Sequence, residues 1–242
     1  EPGLAKEMSV SDNGTVVLAR GSQHQTISVG TKLRRAKSKL RRLDSEFQKA
    51  FTKLMQKQRV AYLTVGHDER TTRPRGGVRG TGIRDARSVM ERLNYTIKEL
   101  GVGQGLGDRV PDDASVVIVA GPQKPFLPAE EAALKRYLER GGRAMIYLDP
   151  ESEVELEGVL APFGLEFTRE RLANDKFMVR VTHTRADRYA LYSNRFSSHP
   201  SVSTLSRNSH RVVTVMLGAG SLSQTPPARG LTPQVQFSVH SM

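Results

Sequence analysis

The stretch that most constrains this chain runs from residue 115 to residue 150, where SVVIVAGP leads into PAEEAALKRYLERGG and out into RAMIYLDP. Strand, crossover helix and strand within one such window predict a parallel βαβ unit. Val116, Val117, Ile118 and Val119 form an unbroken β-branched run, which suits a strand covered on both faces. Pro128 fits a first helical turn, Glu130 and Glu131 suit its positive end, Leu134, Tyr137 and Leu138 share a stripe, and Gly141 and Gly142 end it. Sheets of this kind carry their functional loops just beyond the carboxyl ends of the strands, here around residues 121–123 and 149–151.

Upstream, residues 15–20 and 25–29 flank Gly21-Ser22 and predict a β-hairpin, the end of an upstream module. Thr31 is the expected cap of a helix over 32–58, in which Leu33, Ala36, Leu40, Leu43, Phe47, Ala50 and Leu54 recur every three or four residues as a seam to be packed against protein. Residues 59–65 (RVAYLTV) read as the first strand of an α/β body and end in Gly66-His67-Asp68-Glu69. The arginine- and glycine-rich segment 70–82 is expected to be a mobile loop, followed by a helix over 83–93 and a strand over 95–100. GVGQGLGD at 101–108 departs from G-x-G-x-x-G and precedes no helical pattern, so it reads as a loop rather than a dinucleotide site. Further on we expect a short helix over 154–163, strands over 165–168, 177–181, 189–192 and 211–217, helical character over 197–206, and an edge strand over 235–239 in a Pro-rich tail.

Composition narrows the chemistry. With no cysteine, disulfides, thiolate metal sites and Cys nucleophiles are excluded. No run approaches the roughly 20 apolar residues that span a bilayer, and the opening EPGLAKEM is not a signal peptide; without an initiator Met, it suggests a fragment of a longer protein. The formal charge of +12 is local: residues 32–87 hold 17 Lys and Arg against 5 Asp and Glu, while the rest hold 20 of each. Such a face can attract nucleic acid, anionic headgroups or an acidic protein, or remain a solvated helix surface. Without Trp or aromatics interleaved among the basic residues, a base-stacking platform is not expected.

His67, Asp68 and Glu69 form the densest titratable cluster at a predicted strand end. Of these, His67 and Asp68 suit acid–base or metal chemistry by residue type, yet no spaced partner of the H-x-x-x-H kind accompanies them. The alternative is a polar turn that begins a ligand-facing loop. Asp149, before Pro150, can form a turn or meet a ligand, and Ser221 lacks a G-x-S-x-G elbow.

The segments YLTVGHDE, LNYTIKELGV, VPDDASVVIVAGPQKPFLPAEEAALKRYLERGGRAMIYLDP and LEGVLAPFGLEF, with SVSDNGTVVLARGSQHQTISVGTKL and LDSEFQKAF upstream, resemble the GldG-like auxiliary component of ABC-type transport systems, a family linked to gliding motility and distantly to a domain of intraflagellar transport proteins. The resemblance implies a flavodoxin-like or amidotransferase-like α/β fold, a largely parallel sheet with helices on both faces. It also implies an extracytoplasmic or periplasmic location, flanking membrane helices that anchor the whole protein, and permease and ATPase subunits as partners. It carries no catalytic set. Where relatives have Gly-His-Gly-Glu this chain has Asp68, so a turn without positive φ is expected there, and Ala120-Gly121-Pro122 stands where amidotransferases place a nucleophilic Cys.

The expected organisation is therefore an upstream β module (1–30), a basic amphipathic helix (31–59), an α/β domain (60–224) and a peripheral tail (225–242). The expected function is noncatalytic recognition of a partner or small polar ligand by Gly66, His67, Asp68, Gly121, Pro122, Gln123, Asp149 and Glu151, with no cofactor or metal. The alternatives are a hydrolase using His67 and Asp68, and a basic nucleic-acid-binding module.

Overall fold

The fold is described from a computed structural model, which describes residues 2–71, 82–235 and 239–240. A short helix α1 (Pro2–Glu7), which the sequence pattern did not suggest, precedes strands β1 (Thr15–Arg20) and β2 (Gln23–Ser28). The two strands pair antiparallel with Arg20 opposite Gln23, so Gly21-Ser22 is the whole turn and the second strand starts two residues earlier than expected. Gly21 sits at φ 57°, a conformation glycine adopts without steric cost.

The expected continuous helix is broken in two: α2 (Leu33–Leu40) and α3 (Leu43–Met55). Lys32, not Thr31, occupies the cap position of α2. An unbroken helix would stack Arg34, Lys37 and Arg41, and Arg35, Lys39 and Arg42, at repulsive spacings of three and four. Ending α2 places its negative end by Lys37 and Lys39, and starting α3 gives Asp44 and Glu46 a positive one. Helix α3 packs on the hairpin. The packed seam is only partly realised: Ala36, Ala50 and Leu54 are buried, whereas Leu33, Leu40 and Phe47 are exposed.

Strand β3 (Arg59–Thr64) leads to helix α4 (Arg84–Arg92) and strand β4 (Tyr95–Leu100). The expected loop at 70–82 lies largely outside the described residues. After a 3-10 turn at Val102–Gln104 come β5 (Ala114–Ala120), α5 (Pro128–Glu139) and β6 (Ala144–Tyr147), the βαβ unit legible in the sequence. Strands β5 and β6 pair in parallel, with Val117 opposite Ala144 and Ala120 opposite Tyr147. Together they form a four-stranded parallel sheet in the order β4-β3-β5-β6, flanked by helices, a flavodoxin-like α/β fold. Counted within the α/β body the order is second, first, third, fourth, and the reversal between β3 and β5 is the point where such sheets open a crevice. Val117, Val119, Ala61 and Leu100 are essentially inaccessible to solvent, as strands covered on both faces should be.

Helix α6 (Glu157–Leu160) continues as a 3-10 turn over Ala161–Phe163, so the helix expected over 154–163 ends where expected but starts only at residue 157, because Leu156 takes a left-handed conformation (φ 52°). Strands β7 (Leu165–Thr168), β8 (Ala190–Ser193), β9 (Arg195–Phe196), helix α7 (Ser203–Arg207), and strands β10 (Thr214–Leu217), β11 (Ser221–Gln224) and β12 (Val239–His240) follow. None joins the parallel sheet: β7 pairs with β11, β8 with β10 and β9 with β12, all antiparallel. The expected strand at 177–181 amounts to one bridge, Met178 to Leu191. The chain divides into two compact units, Glu1–Tyr62, Thr71–Lys98 and Asp112–Val116 in one, Leu63–Arg70, Glu99–Pro111 and Val117–Met242 in the other. No described helix is long and apolar enough to cross a membrane.

Candidate functional site

Where β3 ends, the chain turns sharply. Gly66 has φ 114° and Asp68 φ 61°, so the expected turn without positive φ is corrected: aspartate is among the few side chains that tolerate the left-handed region. The backbone carbonyl of His67 accepts hydrogen bonds from the amides of Gln123 (2.7 Å) and Lys124 (3.1 Å), and the amide of Arg70 donates to the carbonyl of Ala120 (2.7 Å). The turn after β3 and the loop after β5 are thus tied to one another at the switch point.

This turn delivers His67 into a buried network. Its Nδ1 lies 3.1 Å from Oε1 of Glu69, its Nε2 lies 2.9 Å from Oε2 of Glu130, and its ring stacks on Phe126 with centroids 3.8 Å apart. Oε2 of Glu69 also accepts from the amide of His67, while Oε2 of Glu130 accepts from the amide of Leu127 at the start of α5. All three side chains are buried, Glu130 completely. Both ring nitrogens face carboxylate oxygens, so the trio needs two protons for its two bonds: an imidazolium, or a neutral ring and a carboxyl group. Oε1 of Glu130 has no hydrogen-bond partner among the described residues. Asp68 points elsewhere and pairs with Lys124 at 3.1 Å.

An open cleft of about 460 Å³ lies against this network, lined by Gly66, His67, Gly101–Gln104, Lys124, Pro125, Leu127 and Glu130. Gly101 packs so closely on the end of β3 that a Cβ there would sit 2.4 Å from the Val65 carbonyl oxygen. A second depression, about 310 Å³, contains Arg70, Asp149, Glu151, Arg171 and Asp187. In it Arg171 pairs with Glu151 (2.8 Å) and Arg70 lies 3.6 Å from Asp149. The carboxylate of Asp187 accepts from the amides of Thr182 and His183 and from the Thr182 hydroxyl. The backbone bond from Thr182, ahead of the others, holds that carboxyl below its ordinary range.

The eight sequence-selected residues therefore separate. Gly66 and His67 face the first cleft; Asp149 and Glu151 face the second, with Asp149 also turning the chain by accepting from the Glu151 amide. Gly121 and Pro122 are buried and line neither; the Pro122 carbonyl accepts from the Ser152 hydroxyl (2.7 Å) and Gln123 folds back onto the Gly121 carbonyl. Glu69, Phe126 and Glu130 were missed as site residues. The signal for Glu130 was present: it stands third in a helix opened by Pro128, the position from which a glutamate reaches back to the preceding amide and hence to the strand-end loops. Among the described residues no group of three metal-ligating side chains is arranged around a vacant centre.

Strand order and switch-point cleft define a flavodoxin-like α/β domain. No family model and no curated protein matches the sequence. Among solved structures the chain is similar to the mmIFT52 N-terminal domain, with 18% identity, a TM-score of 0.48, and coverage of 69% of this chain and 73% of that one.

Proposed function

We propose that this chain is a noncatalytic binding domain that receives a partner or a small polar ligand over the carboxyl ends of β3, β4 and β5. The observation that supports this reading is the state of His67: both ring nitrogens are engaged by buried glutamates and its face is covered by Phe126. A histidine so held fixes the wall of a cleft. A hydrolase built on His67 and Asp68 would want those two groups on each other, and here Asp68 faces Lys124 instead. The cleft offers backbone groups from Gly66 and Gly101–Gln104 beside apolar Val65, Pro125 and Leu127, a mixture suited to recognition.

The resemblance to GldG-like transport auxiliaries extends this proposal to an extracytoplasmic, membrane-anchored protein that works with ABC permease and ATPase subunits. The test is Val102→Trp, which fills the cleft from an exposed position. The full-length protein should co-purify with a permease and an ATPase from its own cells, and Val102→Trp should reduce that recovery while preserving the melting temperature. Turnover of a substrate that vanishes in folded His67→Ala would replace this reading with an enzymatic one.

A further inference from the structure

We propose that Asn13 is a site of spontaneous deamidation, a covalent mark at the open end of the β1–β2 hairpin that arises independently of the function assigned to the strand-end cleft. The chain has five asparagines, and Asn13 alone is followed by glycine. The hairpin requires that glycine. Gly14 has φ 78°, and a Cβ there would sit 2.8 Å from the carbonyl carbon and oxygen of Gly30. Its carbonyl accepts from the amides of Val29 (2.8 Å) and Gly30 (3.0 Å), whereas its own amide donates to no acceptor among the described residues. Asn13 and Gly14 are both exposed. Nucleophile and target are therefore adjacent and in water, with no side chain on the attacking residue to hinder the approach.

The other four asparagines are restrained. Asn94 is buried and its Nδ2 donates to the Gln56 carbonyl (2.8 Å), Nδ2 of Asn194 donates to the Ser209 carbonyl (3.0 Å), and Nδ2 of Asn208 to the Thr204 carbonyl (2.8 Å). Oδ1 of Asn174 accepts from the amides of Lys176 (2.8 Å) and Phe177 (3.0 Å). Their successors are Tyr95, Arg195, Ser209 and Asp175, each with a Cβ beside the amide nitrogen. The side chain of Asn13 makes no hydrogen bond among the described residues.

The reaction consumes only water. The amide nitrogen of Gly14 bonds to Cγ of Asn13, the Cγ–Nδ2 bond breaks, and ammonia leaves with the Gly14 amide proton. Water then opens the resulting succinimide at either carbonyl, giving aspartate or isoaspartate. Both products place a negative charge next to Asp12. Isoaspartate also lengthens the main chain between Asp12 and Thr15, whose hydroxyl donates to the Asp12 carbonyl (3.0 Å).

The experiment is incubation of the full chain at mildly alkaline pH, followed by peptide mapping with mass spectrometry and by labelling with an isoaspartyl methyltransferase. In the folded chain Asn13 should convert at least about tenfold faster than any other asparagine, since each of those must first give up a hydrogen bond and expose a more hindered amide. Urea should change the Asn13 rate by less than about threefold, because the fold neither buries nor pairs the reacting groups. Asn13→Gln, which would need a larger ring, should abolish methyl acceptance at this site while keeping the circular dichroism spectrum. Earlier conversion of another asparagine overturns the proposal. So does an Asn13 rate that rises tenfold or more in urea, which would show that the fold protects it, and so does methyl acceptance that survives in Asn13→Gln.

Discussion

Nε2 of His67 lies 2.9 Å from Oε2 of Glu130, and that one contact joins the turn after β3 to the first turn of α5 across 63 residues of sequence. The same Glu130 oxygen accepts from the Leu127 amide, so a single carboxylate caps a helix and anchors a strand-end turn. The cleft wall is therefore tied to both elements.

His67→Ala should destabilise the protein by about 3–5 kcal/mol, because it leaves two buried carboxylates without their common partner. Glu130→Gln should cost less than Glu130→Ala, since glutamine keeps an oxygen for the Leu127 amide. Urea unfolding midpoints of the three variants check this order, and a His67→Ala midpoint equal to the parent's would falsify a structural role for the network.

Asp187 gives the pH dependence a definite sign. Its folded pKa is depressed, chiefly by the Thr182 amide, so its stabilising contribution is present above the unfolded value of about 3.9 and is lost as pH falls through the folded one. Stability measured between neutral pH and the acid limit should decline less steeply in Asp187→Asn than in the parent.

Glu131 should act in the opposite direction. Burial first, and the charge of Glu157 second, push its carboxyl above the ordinary range. The folded state therefore binds this proton more readily than the unfolded one, and the penalty is fully present above the raised pKa and disappears below the unfolded value. Glu131→Gln should raise the melting temperature at neutral pH and lose that advantage in acid.

Gly101→Ala should cost about 1–3 kcal/mol, the usual penalty of overpacking, because the added methyl would stand 2.4 Å from a backbone oxygen that belongs to the end of β3. A melting temperature unchanged from the parent's would show that the ends of β3 and β4 can separate freely.

The two leucines at either end of the helical segment should differ. Leu54 is 7% exposed, so Leu54→Asp buries a charge and should prevent stable folding of the hairpin and α3, whereas Leu33→Asp should change stability by less than about 0.5 kcal/mol. Guanidinium titrations of both variants decide the point.

Much of the fold was legible where the signal is confined to a few neighbouring residues. The hairpin, β3 to β6, and α5 with its Pro128 start follow from alternation, β-branched runs and helix-end chemistry. The helix break at residues 41–42 could have been read from the basic run followed by Asp44 and Glu46, but the apolar seam ran through it and masked the change in charge. Of the site, His67 was legible by type and by its place after a strand. Its partners were legible only in part: the third place in α5 marks Glu130 as a capping residue, but nothing local shows that it and Glu69 leave water until the fold buries them.

The sequence by itself determined the local conformations and the parallel character of the βαβ unit, since hydrophobic period, caps and turn residues act over one or two turns of chain. Only the tertiary structure decided that β7, β8 and β9 pair antiparallel with β11, β10 and β12 outside the parallel sheet, and that Glu69, His67 and Glu130 meet. Every strand presents the same backbone donors and acceptors, so pairing is chosen by which side chains pack together across long separations. A carboxylate becomes a structural partner only where burial makes leaving it alone too costly.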